Sequence, residues 1–159
     1  MNKNITLFFL ISTGLLLIVT RVTAQVSDYE KANLAFNRGD YKTSYNLIRP
    51  LAKKGYARAQ YSLGIMYEKG KGVDLNLKKA KKWFQFAAEQ GVTKAQYKLG
   101  LIYGKGKGVA KDYSKAFKWW TLAADQGNSD AQFNLGWMFE NGIGALQNYD
   151  RAIKWYTLA

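Results

Sequence analysis

Cysteine and histidine are both missing from these 159 residues, and there is one proline, Pro50. Without cysteine the chain has no disulfide support, no thiol nucleophile and no thiolate metal site. Without histidine it has no imidazole base, no Ser-His-Asp triad and no side chain that switches charge near neutral pH. Acidic residues are also scarce, 11 against 24 Lys and Arg, for a formal charge of +13. Glu68 and Glu140 share one position relative to the glycine-rich turns, and Glu89 and Asp125 share another near a helix end, but neither makes the close acidic pair that glycoside hydrolysis uses. We therefore expect no enzyme activity and no cofactor.

Long apolar runs are limited to the start of the chain. Lys3 precedes a 15-residue run from Ile5 to Val19, followed by the small residues Val22, Thr23 and Ala24. A membrane-spanning helix wants about 20 apolar residues. The pattern is that of a secretory signal peptide over residues 1–24, cut after Ala24. No cysteine follows it, so no lipid anchor is expected, and the product should be periplasmic or secreted, in a bacterium, with no integral membrane association. Removing Lys3 and Arg21 leaves 22 basic against 11 acidic residues. An exported basic protein meets acidic proteins, glycans and lipid headgroups rather than nucleic acid. The alternative is that the lysines only keep an aromatic-rich chain soluble.

What the chain has in abundance is self-similarity. AQYSLGIMYEKGKGV from Ala59, AQYKLGLIYGKGKGV from Ala95 and AQFNLGWMFENGIGA from Ala131 recur every 36 residues, with 19 identities in 36 between the first two full units. A period of this length marks a helical repeat whose units cannot bury their apolar faces alone. Each unit reads as two helices, one in AQYxLGxxY and one around KAxxW. Asp40, Asn76, Asp112 and Asn148 stand as N-caps of the second helices. Gly55, Gly91 and Gly127 end them in the left-handed conformation. Thr93 and Ser129, with Ala57 a weaker version, are expected to cap the next first helix. Pro50 should remove one hydrogen bond and bend the last turn of its helix.

The predicted fold is all-α, an α-solenoid of stacked antiparallel helix pairs. Its parts are a short N-terminal tetratricopeptide-like unit over 27–56, repeats over 57–92 and 93–128, and an incomplete repeat over 129–159. The last unit stops at the equivalent of Ala123, leaving Ile153, Trp155 and Tyr156 with no following unit to cover them. Either the array is truncated, or this open end associates with a second copy or a partner. The KGKGV segments at Lys69 and Lys105 are not phosphate loops, because no Ser or Thr follows GK and helices flank both sides. They are turns between antiparallel helices.

The pattern AxxxLGxxYxxGxGV followed by KAxxWxxxAAxxG resembles the Sel-one-like repeat family, a relative of the tetratricopeptide repeats. Units two and three carry it most fully, from Ala59, Leu63, Gly64 and Tyr67 to Trp83, Ala87, Ala88 and Gly91 and again 36 residues on. The fourth departs at Phe139, Ala145 and Arg151. The resemblance implies an α-solenoid that binds other proteins, often as an adaptor in bacterial envelope or virulence processes. The small recurring residues would let helices approach, with Leu63, Tyr67 and Trp83 filling the space beside them, so Trp83, Trp119 and Trp155 read as packing.

Positions that do not recur are the better candidates for recognition. Arg58, Ser62, Ile65 and Lys69 form one helical stripe; its counterparts are Lys94, Lys98, Leu101 and Lys105, then Asp130, Asn134, Trp137 and Asn141. First helices line the concave face of helical-pair solenoids, which makes this stripe the predicted protein-binding surface. Trp137 is either an exposed aromatic anchor or a residue packed on a neighbour. The expected function is an exported interaction module holding a protein segment, with the lysines steering acidic partners. The alternative is a binder of anionic envelope glycan or lipid surface, with hydrolase activity a remote third.

Overall fold

A computed structural model describes residues 28–159; the predicted signal peptide and its cut after Ala24 lie outside the described residues. Among the described residues there are eight helices and no strand. They are α1 over residues 28–37, α2 Tyr41–Lys53, α3 Ala57–Lys69, α4 Leu77–Glu89, α5 Thr93–Lys105, α6 Tyr113–Ala124, α7 Ser129–Asn141 and α8 Tyr149–Leu158. From α2 onward each helix packs against the next along the chain. The array is the predicted all-α solenoid.

The second helices begin as the sequence suggests. Asp40, Asn76, Asp112 and Asn148 each accept the backbone N–H three residues on, at 2.8–3.1 Å. These bonds satisfy one of the N–H groups that a helix start leaves unpaired. The ends close by a repeated pair of bonds: Gly55, Gly91 and Gly127, at φ 94°, 84° and 80°, donate to Ala52, Ala88 and Ala124, and the following residues donate to Leu51, Ala87 and Ala123. This is a Schellman closure, and only glycine takes that φ without strain.

One local expectation is corrected. Thr93 and Ser129 are the first residues of α5 and α7 and not their caps; Ala57 likewise opens α3. The cap positions are Tyr56, Val92 and Asn128, of which Asn128 alone offers a side-chain acceptor, to the Ala131 N–H. The Schellman turn has already fixed the chain's entry angle, so a capping side chain is dispensable there, and the Thr93 hydroxyl donates instead to Gln126. Pro50 sits inside α2, yet the helix runs on to Lys53 and the Lys54 N–H still reaches the Pro50 and Leu51 carbonyls.

The core forms three stacked clusters of repeated small and large residues. Ala59, Ala95 and Ala131 are fully buried, as are Leu63, Leu99 and Leu135 to within 1%. The rings that fill the space above Gly64, Gly100 and Gly136 are Phe84, Trp120 and Tyr156, one residue past the predicted tryptophans. A Cβ on Gly64 or Gly136 would come within 2.6 Å of the facing ring, and one on Gly100 would overlap the Trp120 indole. Trp83, Trp119 and Trp155 are half-buried, each packed on the core cluster that its own unit shares with the preceding one. Trp155 and Tyr156 therefore turn inward, and of the three residues expected to lie uncovered only Ile153 is, at 64% exposure.

A buried glutamine in each first helix ties the units together. Gln60, Gln96 and Gln132 donate to the carbonyls of Ala52, Ala88 and Ala124 at the end of the preceding second helix. Gln90 and Gln126 in turn donate to the Gln60 and Gln96 side-chain oxygens at 2.7 and 2.6 Å. The network gives these carbonyls a second donor beside the closing glycine N–H, and a buried amide with both ends bonded fixes register. Cations repeat in the same way, with Lys79 over Tyr67, Lys115 over Tyr103 and Arg151 over Phe139.

Candidate functional site

A groove of about 470 Å³ runs between α1, α2 and α3, with the start of α5 at its rim. Phe36, Ile48, Ile65 and Met66 give it an apolar floor, and Asn33, Asn37, Ser44 and Ser62 supply amides and hydroxyls. Lys69 and Lys94 stand at its margin, both exposed. Its size lies within the usual range of ligand pockets, and the mix of apolar floor and hydrogen-bonding wall is the usual chemistry. Four of the stripe residues, Ser62, Ile65, Lys69 and Lys94, are thus brought together in one concavity.

The other stripe residues fall into three kinds of environment. Arg58, Lys105, Asp130 and Asn141 are exposed. Ile65 and Leu101 are half-buried because each packs on the core cluster that its own unit shares with the following one. Trp137, at the same position one unit later, is 37% exposed, and Phe133, equivalent to Tyr61 and Tyr97, is 57% exposed.

The third kind is a set of matched pairs between neighbouring first helices. Ser62 is 3.2 Å from the Tyr29 hydroxyl, Lys98 donates to Glu68 at 2.8 Å, and Asn134 stands beside the Tyr97 hydroxyl. In the Lys98 pair the two side chains are only 24% and 17% exposed, so solvent screens the charges incompletely. Burial raises the Tyr97 pKa and Asp130 raises it further, while Asn134 pulls it back. Tyr61 is raised by burial first and by Glu68 second. Ser62, Lys98 and Asn134 are therefore joints between units as well as stripe residues. The sequence held this signal only jointly, since 29, 68 and 97 had to be read against 62, 98 and 134.

A second hollow, about 360 Å³, opens beside the glycine-rich loop of the second unit and is lined by Tyr45, Tyr67, Asp74, Asn76 and Lys79. The Tyr45 and Tyr67 hydroxyls lie 3.3 Å apart. Burial, with that contact second, pushes the Tyr67 pKa up to about 12. In the last unit burial and the Glu140 carboxylate do the same to Tyr156, whose hydroxyl donates to Glu140 at 2.6 Å. Glu140 is thus a partner for the ring that fills the Gly136 gap; Gly104 takes its place under the larger Trp120, where a Cβ would lie 2.9 Å from the ring.

Known proteins with related chains give this geometry a context. Residues 57–92, 93–128 and 129–159 match the model of the Sel1 repeat. The crystal structure of a Sel1 repeat protein from Oxalobacter formigenes aligns at a TM-score of 0.79 and 34% identity, over 82% of this chain and 54% of that one. A protective antigen of uropathogenic Escherichia coli displaying the SLR fold aligns at 0.80 and 33%, over 87% of this chain and 30% of that one. The chitin synthase regulator SKT5 of Saccharomyces cerevisiae is 39% identical over 57 residues, 36% of this chain and 8% of the yeast protein. The chain thus spans from under a tenth to about half of these relatives' lengths. Sel1 repeat proteins generally mediate protein–protein interaction, and the family is typically a non-enzymatic scaffold.

Proposed function

We propose that this chain, which belongs to the Sel1 repeat family, is an exported interaction module that holds a protein segment in the groove between α1, α2 and α3. The observation that carries the reading is that groove's composition. An apolar floor of Phe36, Ile48, Ile65 and Met66 accepts one or two side chains, while Asn33 and Asn37 offer amide donors and acceptors to an extended backbone. Lys69 and Lys94 favour a segment flanked by carboxylates, and the excess of basic over acidic residues steers it in. Export rests on the leader-like residues 1–24. Trp137 marks a second contact further along the same predicted stripe.

A photo-crosslinking residue at Asn37, exposed to an envelope extract, tests the reading. A discrete protein adduct that disappears in Lys69→Glu/Lys94→Glu supports it. No adduct, or the same adducts with and without those lysines, rejects the groove as the site. Trp137→Ala should weaken capture of the same protein with melting unchanged; unaltered capture removes Trp137 from the surface.

A further inference from the structure

In units two and three, the residues from the end of the first helix through the first turn of the second, 69–79 and 105–115, hold eight lysines against Asp74 and Asp112. The turns at the opposite edge, 53–58, 89–94 and 125–130, hold four basic residues against three acidic ones. Solubility alone gives no reason for one edge to take the lysines. The arrangement also runs against helix electrostatics at α4, where Lys78 and Lys79 sit in a first turn whose unpaired N–H groups are already positive and no acidic residue accompanies them; at α6, Lys115 is paired with the Asp112 cap at 2.8 Å.

The loops form one continuous edge. Gly72 abuts the Tyr41 carbonyl, Gly108 abuts Leu77 and Gly144 abuts the Tyr113 carbonyl, so each loop rests on the start of the preceding unit's second helix. Along that edge apolar side chains project into solvent. Leu75 is 62% exposed, Leu146 91% and Tyr149 62%.

We propose that this loop edge docks on an anionic lipid bilayer. Lysines engage headgroup phosphates, Leu75 and Leu146 enter the headgroup–acyl boundary, and Tyr149 lies at the interface, where amphipathic rings are favoured. A soluble polyanion would use the lysines and gain nothing from two projecting leucines; a bilayer uses both. No described helix is long and apolar enough to cross a membrane, so the contact made by these residues is peripheral. The edge is distinct from the groove, apart from Lys69, and the proposal stands whether or not a peptide binds there.

The test is co-sedimentation of the chain from Gln25 onward, which contains every described residue, with vesicles of phosphatidylcholine alone or mixed with phosphatidylglycerol. Dextran sulfate on beads serves as the soluble-polyanion comparison. Binding to the mixed vesicles only, declining as salt is added, is the expected result. Lys78→Glu/Lys107→Glu/Lys111→Glu should lower both vesicle and dextran sulfate binding about ten-fold or more. Leu75→Ser/Leu146→Ser should lower vesicle binding by about ten-fold and leave dextran sulfate binding unchanged. All five side chains are exposed, so circular dichroism melts should match the parent. Absence of binding to mixed vesicles overturns the proposal. Leucine variants that sediment like the parent also overturn it, and make the edge a polyanion site instead.

Discussion

Gly64→Ala puts the packing account at risk, because two physical effects oppose each other at that position. In an exposed helix interior, replacing glycine by alanine stabilises by about 1 kcal/mol through helix propensity. Gly64 lies within α3, but a Cβ there would stand 2.6 Å from two atoms of the Phe84 ring. Phe84 is 0% exposed and cannot swing aside. Overpacking of a well-filled core costs about 1–3 kcal/mol, and an overlap of about 1 Å against a rigid ring belongs at the upper end. We expect a net loss of about 1–2 kcal/mol after the propensity gain, read by urea denaturation followed by circular dichroism. In a Phe84→Leu background the obstruction shrinks, so Gly64→Ala should cost less there, a coupling of about 1 kcal/mol. A single Gly64→Ala variant more stable than the parent, or additive effects in the double variant, would refute the packing argument.

Three further outcomes follow from named contacts. Gln96→Leu removes a buried amide bonded to Ala88 and Gln126 and leaves the Ala88 carbonyl without it; a loss of about 2 kcal/mol is expected in urea melts, against under about 1 for Gln126→Ala, whose side chain is on the surface. A double-mutant cycle on Glu68→Ala and Lys98→Ala should return about 1 kcal/mol of coupling that shrinks as salt is raised, and zero coupling would make the pair incidental. Burial and Glu140 push the Tyr156 pKa from its ordinary 10.0 up to about 12, so the protonated form is favoured by folding: that stability is complete below pH 10 and is lost as pH rises through 12. Ultraviolet titration should therefore show late tyrosine ionisation, shared with Tyr67, whose amplitude Tyr156→Phe lowers by one residue; an unchanged amplitude would assign it elsewhere.

The architecture was legible because each unit repeats the same solution. A 36-residue period gave the helix pairs, and Asp40, Asn76, Asp112 and Asn148 marked helix starts by a local interaction that needs only three residues. The ring above Gly64 is not the one the repeat singles out: Trp83 recurs as Trp119 and Trp155, whereas the occupant one residue on varies among Phe84, Trp120 and Tyr156. Identity pointed at the conserved type; packing needed only a ring of any type. Gln60, Gln96 and Gln132 carried a plain signal in the recurring AQ pair, since a glutamine kept at one position beside buried alanine is bonded to something. The stripe was legible as a set of positions, but its split into groove, joints and exposed sites was not. Ser62, Lys98 and Asn134 depend on partners over 29 residues away, and variation there reflects a changed partner as readily as a changed ligand.

Those three joints also make the order of the units part of the sequence's content. Tyr29 with Ser62, Glu68 with Lys98 and Tyr97 with Asn134 are lock-and-key pairs of unlike chemistry, one for each boundary. Exchanging the second and third units would bring Tyr29 opposite Lys98 and leave Glu68 facing Asn134. Averaging the repeats into one idealised unit would erase Glu68 wherever Gly104 is the template, and strand the lysine across the boundary. A chain that looks interchangeable by its alanines and glycines is, at its joints, a numbered set.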